Sequence, residues 1–161
     1  MDWYELTEKY HTQTFPYDCR LSSLPQEWQR ELAAIWRLEA DVNNGAYLQF
    51  LVNWGRESYQ YANQALNKIG ASEMSKLVVN CQALVDEHFN CEGVSPEQMR
   101  RLLPNKTKLI GSDGQIKTSA GCILPQSVVD RIYALSYEFM DYPEDIASLG
   151  MAYYRSFIST S

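Results

Sequence analysis

The chain has 161 residues, 45% hydrophobic and 12% aromatic, and 20 acidic against 14 basic side chains leave a net charge of −6. This is the size and composition of one ordinary domain that buries a core without a disulfide or a metal, and it excludes a disordered or low-complexity chain. The acidic balance argues against direct nucleic-acid binding and leaves either plain solubility or a working surface for a basic partner.

The N-terminus carries Asp2, Glu5 and Glu8, not the cationic region and apolar core of a secretory signal. No later stretch approaches the roughly 18 consecutive apolar residues of a membrane span, so a cytoplasmic protein is expected, without membrane partners. Trp3 to Tyr10 predicts a short first helix, followed by a connection from Phe15 to Ser23. Ser23 is the expected N-cap of the next helix, with Pro25 in its first turn. Trp28, Leu32, Ile35 and Val42 recur near the helical period up to about Asp41, and Asn43-Asn44-Gly45 stops the run. A helix from Ala46 to about Trp54 is stopped by Gly55, and one from Glu57 to Ile69 by Gly70. Ser72 is expected to cap a helix whose stripe is Met74, Leu77, Val78, Cys81, Leu84 and Val85. Ser95-Pro96-Glu97 opens a short helix that ends before Pro104.

Asn105 to Gly121 breaks the pattern and reads as a mobile loop, with the alternative of two short strands, Lys108-Leu109-Ile110 and Gln115-Ile116-Lys117, around a turn at Gly111 to Gly114. Arg100, Arg101, Lys106, Lys108 and Lys117 concentrate positive charge here, which leaves the rest of the chain more acidic. Pro125 to Phe139 and Pro143 to Phe157 close the chain as helices, separated by Asp141-Tyr142-Pro143. The expected fold is all-α, one compact multi-helix domain over residues 1–161, with at most a small hairpin in the 105–121 region.

No catalytic signature accompanies these helices. The two histidines, His11 and His88, lie in no metal pattern, and no nucleophile elbow, P-loop or dinucleotide fingerprint occurs. Cys19, Cys81, Cys91 and Cys122 are expected as free thiols, and His88 with Cys91, Cys81 and Cys122 matches no zinc module. No enzyme activity, metal or cofactor is therefore expected. The acids are more informative. Glu138, Asp141, Glu144 and Asp145 fall within eight residues at a helix–helix corner, and Glu39 and Asp41 end another helix. Acids near helix N-termini complement the macrodipole, but Glu39, Asp41 and Glu138 lie near C-termini, where that explanation fails.

The densest polar–aromatic stretch runs from Val42 to Gly55. Gln49 and Asn53 share a helix face, Asn43 and Asn44 precede it, and Phe50, Leu51 and Trp54 interleave with them. Amides in such company suggest a partly buried hydrogen-bond network that fixes a sharp turn, with a small ligand site as the alternative.

Asn43-Asn44-Gly45, Gln49-Phe50 and Asn53-Trp54-Gly55 resemble the signature of the bacterial DNA mimic protein family, long catalogued as a domain of unknown function. Ala46 stands where that pattern has a second glycine, and Leu51-Val52 where an aromatic pair is common. Ala65-Leu66, Ile69-Gly70-Ala71 and a closing run from Ile132 to Tyr154-Arg155 extend the resemblance over residues 24–158. It implies an acidic homodimer, of a mass similar to the neisserial family member, that occupies the DNA-binding face of a helix-turn-helix transcription regulator. On that reading Asn43, Asn44, Gly45, Gln49, Asn53 and Gly55 mark the fold. Glu138, Asp141, Glu144, Asp145, Glu39 and Asp41 are then the acids expected to imitate phosphates. An immunity or antitoxin-type inhibitor of a basic toxin enzyme, or a small-ligand module, are the other classes the sequence admits.

Overall fold

Six α-helices carry the chain in a computed structural model that describes residues 1–104, 108–110, 116–118 and 122–158. They are α1 (Trp3–Thr12), α2 (Glu27–Lys68), α3 (Ser72–Asp86), α4 (Pro96–Arg100), α5 (Gln126–Met140) and α6 (Ile146–Ile158). β1 (Lys108–Ile110) and β2 (Ile116–Thr118) pair antiparallel, Leu109 opposite Lys117. The hairpin alternative is thus the one adopted, one residue further along in its second strand, and its turn at 111–114 lies outside the described residues.

Helix α2 is the axis. Its backbone leaves helical geometry at Gly45, Ala46 and Gly55, which divides it into runs 27–44, 47–54 and 56–68. These correspond to the three helices expected from the periodicity, stacked end to end with two bends. Helix α1 lies along α2, while α3 and α5 pack on each other and on α2, and α6 touches both α1 and α2. Leu32, Ile35, Leu38, Leu48, Phe50, Leu51 and Leu66 of α2 meet Met74, Val78 and Val85 of α3 and Val129, Ile132 and Phe139 of α5 in one apolar cluster. Each such side chain contributes roughly 1.5–3 kcal/mol through burial, so this cluster, not helix propensity, holds the elements together.

Two expected caps are corrected. Ser23 belongs to a short 3-10 turn (Leu21–Ser23), and the N-cap of α2 is Gln26, whose N–H donates to Gln29 Oε1 at 3.2 Å. Ser72 is already helical, behind Ala71, which has no side-chain oxygen to offer. The first turn of α3 is capped from a distance instead: Glu144 Oε2 accepts from the N–H groups of Glu73 and Met74, both at 3.0 Å. Ser95 caps α4 as expected, accepting from Gln98 N–H at 3.2 Å.

The interior also holds charge. Glu31 is buried, paired with Lys68 and accepting from the Tyr154 hydroxyl at 2.8 Å. That contact joins the start of α2 to α6. Arg37 is buried too, and its guanidinium donates to Ser58 Oγ at 3.0 Å, Thr14 Oγ1 at 3.2 Å and the Cys19 carbonyl at 2.7 Å.

Candidate interaction surface

The amide motif is organised by Asp41, one turn before the first bend of α2. Its Oδ1 accepts from Gln49 Nε2 at 3.0 Å, and its Oδ2 from Asn53 Nδ2 at 3.1 Å and Trp54 Nε1 at 2.6 Å. One carboxylate therefore clasps the run after the bend onto the run before it. Gly45 makes room, since a β-carbon there would collide with the Gln49 side-chain amide. Ala46 then takes φ 67°, ψ 176°, and Gly55 repeats nearly the same backbone at φ 69°, ψ −173°. This region is essentially glycine's, so Ala46 is strained where Gly55 is not. Tyr47 N–H donates to Ser136 Oγ at 3.0 Å and anchors the bend to α5.

Asn44 Nδ2 bonds back to the Ala40 carbonyl at 2.8 Å, and Asn43 Nδ2 to the Glu39 carbonyl at 2.7 Å. Asn43 also donates to the Tyr142 hydroxyl at 2.9 Å, and Tyr142 in turn donates to Glu39 Oε1 at 3.2 Å. Trp3 Nε1 completes this group, donating to Glu39 Oε2 at 3.1 Å. Tyr142 holds a left-handed backbone at φ 47°, between α5 and α6. Burial raises the Glu39 carboxyl above its usual range. The Tyr142 hydroxyl is pushed up to about 12, first by burial and then by the charge of Glu39. Trp3, Tyr4, Trp36, Glu39, Asn44 and Tyr142 line a cleft of about 410 Å³ that opens to solvent.

The six acids expected to face a partner thus differ in situation. Glu138 and Asp141 are exposed, and neither side chain has a hydrogen-bond or ion-pair partner among the described residues. Both line a second cleft, of about 460 Å³, together with Glu73, Lys76, Asn80 and Arg131. Glu144 is spent on the α3 cap. Asp145 is exposed but caps α6, accepting from the Ser148 N–H at 3.0 Å and hydroxyl at 2.7 Å; these bonds hold its carboxyl below the usual range. Glu39 is half-buried on the floor of the first cleft. Asp41 requires correction: it is buried, and its oxygens are occupied by three donors of its own chain. It does not belong to a phosphate-like surface row.

Sequence reasoning missed Trp3 and Tyr142 as partners of Glu39. A weak signal existed, because a carboxylate at a helix C-terminus meets the negative end of the dipole and needs other donors.

The group of three or more His, Cys, Asp or Glu that a metal ion requires does not occur among the described residues. Cys81 is buried, which pushes its thiol up to about 12, and His88 Nδ1, in the turn just past the end of α3, lies 3.2 Å from the Leu84 carbonyl. Among the described residues no helix is long and apolar enough to cross a membrane.

Residues 22–157 match the family of DMP19-like proteins. The chain belongs to the DMP19-like family. No curated protein and no solved structure matches it significantly. The DMP19-like match begins near the 3-10 turn at Leu21 and runs into α6, so it contains the Asp41 clasp and the acidic corner. Helix α1, which supplies Trp3 and Tyr4 to the first cleft, lies before it. The family is not an enzyme family.

Proposed function

We propose that this DMP19-like chain is a DNA mimic: an acidic cytoplasmic protein that binds a helix-turn-helix transcription regulator and blocks its access to DNA. Membership of the family carries this reading. The placement of the acids supports it. Duplex DNA presents about one charge per 1.7 Å of axis, so imitation needs uncompensated carboxylates held in fixed relation more than it needs a high total charge. Glu138 and Asp141 meet that need at the α5–α6 corner, where neither is ion-paired among the described residues although Lys76 and Arg131 line the same cleft. The protein works as a homodimer, which doubles the net charge of −6 and supplies a second corner. Such charge speeds capture of a basic partner and loses effect as salt screens it.

The test is capture of the regulator from native lysate at low and high salt, followed by competition against its operator DNA. Glu138→Gln with Asp141→Asn removes two charges while keeping size and hydrogen bonding. The double variant is expected to compete about tenfold less well at low salt and to show a flatter salt dependence. Equal competition by variant and parent would remove the acidic corner from the mechanism. Capture of a nuclease or other enzyme in place of a regulator would replace mimicry by inhibition.

A further inference from the structure

The cleft between α1, α2 and Tyr142 has a composition that selects its ligand. Its floor is the Glu39 carboxylate, half-buried and with no cation paired to it among the described residues. Two donors, Trp3 Nε1 and Tyr142 OH, hold that carboxylate in place, one on each oxygen. A carboxylate has about four lone-pair sites, so two remain. Asn43 and Asn44 stand at the rim with their amide nitrogens bonded back to the helix and to Tyr142, and both side chains are exposed. Asn43 has spent both amide hydrogens and keeps only its carbonyl oxygen to offer, while Asn44 keeps its carbonyl oxygen and one amide hydrogen. The walls are aromatic, from Trp3, Tyr4, Trp36 and Tyr142.

The indole N–H of Trp36 is a donor without a partner among the described residues, but it is buried in the wall. A site whose open groups are mainly acceptors, with one negative charge and aromatic walls, is complementary to a flat, donor-rich cation. A guanidinium combines planarity, a fork of N–H donors that matches a carboxylate, and weak hydration that favours contact with aromatic rings. An anion meets the charge of Glu39, and a neutral apolar ligand leaves the acceptors unpaired. We infer that this cleft is a receptor for a guanidinium group, presented by a basic protein partner as an arginine side chain. The choice of a protein arginine rests on the DNA-mimic reading; the preference for a guanidinium rests on the cleft alone. Tyr142 ties the cleft to the acidic corner, because it follows Asp141 directly in the chain while its hydroxyl bonds Glu39. Consecutive residues thus serve the two clefts: Asp141 and Pro143 line the one that holds Glu138, and Tyr142 between them lines this one.

Arginine amide, titrated into the full-length protein and followed by the indole N–H resonances of Trp3 and Trp36, tests this directly. Saturable shifts of these two signals are expected, with little movement of Trp28. Citrulline amide, the neutral isostere, is expected to bind at least tenfold more weakly to the same unaltered protein. Glu39→Gln is expected to weaken arginine amide by a similar factor, whereas Glu138→Gln with Asp141→Asn is not. Absence of saturable shifts, or equal binding of the two amides, overturns the inference without reference to any variant's folding. Competition with operator DNA separates the two readings. Failure of arginine amide to bind, with competition intact, removes the cleft and leaves mimicry. Binding of arginine amide without capture of any regulator supports the guanidinium site and removes mimicry as its purpose.

Discussion

Arg37 Nε donates to His11 Nδ1 at 3.3 Å in the interior, where both side chains are buried. The contact fixes the imidazole: Nδ1 is an acceptor, so the ring carries its proton on Nε2 and is neutral. His11 stacks on Trp36 at 3.9 Å, and the Arg37 guanidinium lies 4.2 Å from the Trp54 ring centre. No ion pair to Arg37 occurs among the described residues. Hydrogen bonds and an aromatic face replace a counter-ion there, and burial lowers its pKa to about 10, which still leaves it charged at neutral pH.

Stability should therefore fall with acid earlier than carboxylates alone require. Burial, then the charge of Arg37, lowers His11 from 6.5 to about 4. Between those values the unfolded chain takes up a proton that the folded protein refuses. The His11 contribution is complete above pH 6.5 and is lost as pH falls toward 4, by at most about 3 kcal/mol. Glu39 acts in the opposite sense. Its raised carboxyl gains stability as pH falls through the window above its ordinary 4.5, which flattens the lower part of the slope. Urea unfolding from pH 7 to pH 5 measures this, and in His11→Gln the dependence between pH 6.5 and 5 should largely vanish. An unchanged slope in that variant would assign the effect to other groups.

The Asp41 clasp makes graded predictions. Asp41→Ala leaves three donors without their acceptor, and hydrogen bonds to a charged group contribute about 1.5–3 kcal/mol each when buried. Asn53 is exposed and turns to water, so the expected loss is about 2–4 kcal/mol rather than the full sum. Asn53→Ala itself should cost only about 1 kcal/mol for the same reason. Chemical denaturation gives both values. Equal losses in the two variants would mean that Gln49 and Trp54 gain nothing from Asp41.

The helices were legible because burial writes a period into the chain: Met74, Val78, Cys81 and Val85 face the core as their spacing requires. The two bends of α2 were legible because Gly45 and Gly55 stand at them. What periodicity does not carry is the identity of a partner far away in sequence. Asp41 and Glu39 looked like surface acids since each sits against an unfavourable helix dipole. In the fold, N–H and O–H donors from beyond the bend, from α1 and from Tyr142 outweigh that dipole. Ser72 looked like a cap because it precedes an apolar stripe. A carboxylate from seventy residues further on does the work instead, and no local pattern encodes that.

Ala46 and Gly55 provide a matched pair of backbone tests. Gly55→Ala meets no steric obstacle, but its φ of 69° is strained for any side chain, so a loss of about 1–2 kcal/mol is expected. Ala46 already bears that strain. Ala46→Gly releases roughly 1–3 kcal/mol of it, against about 0.5–1 kcal/mol of added chain entropy and about 0.8 kcal/mol for a lost buried methyl. The variant should fall between about 1 kcal/mol less and about 2 kcal/mol more stable than the parent, and a clear loss beyond about 1 kcal/mol in thermal or urea unfolding would show that Ala46 is not strained.

Glu144 separates architecture from recognition at the acidic corner. Its Oε2 receives two N–H groups of α3, so Glu144→Ala should lower stability by about 1 kcal/mol, as loss of an N-cap does. Glu144→Gln keeps an acceptor and loses only the attraction between a carboxylate and the helix N-terminus, about 0.3–1 kcal/mol. Because that oxygen is turned toward α3, neither variant should change regulator binding more than about twofold at a temperature where both are folded. Glu138→Gln with Asp141→Asn should behave in the reverse way, with weakened binding and unchanged unfolding. The comparison therefore pairs a melting curve with a competition assay on the same samples. A Glu144→Gln protein that melts like the parent yet loses regulator binding would place Glu144 among the phosphate-imitating acids. It would also show that the α3 cap is dispensable.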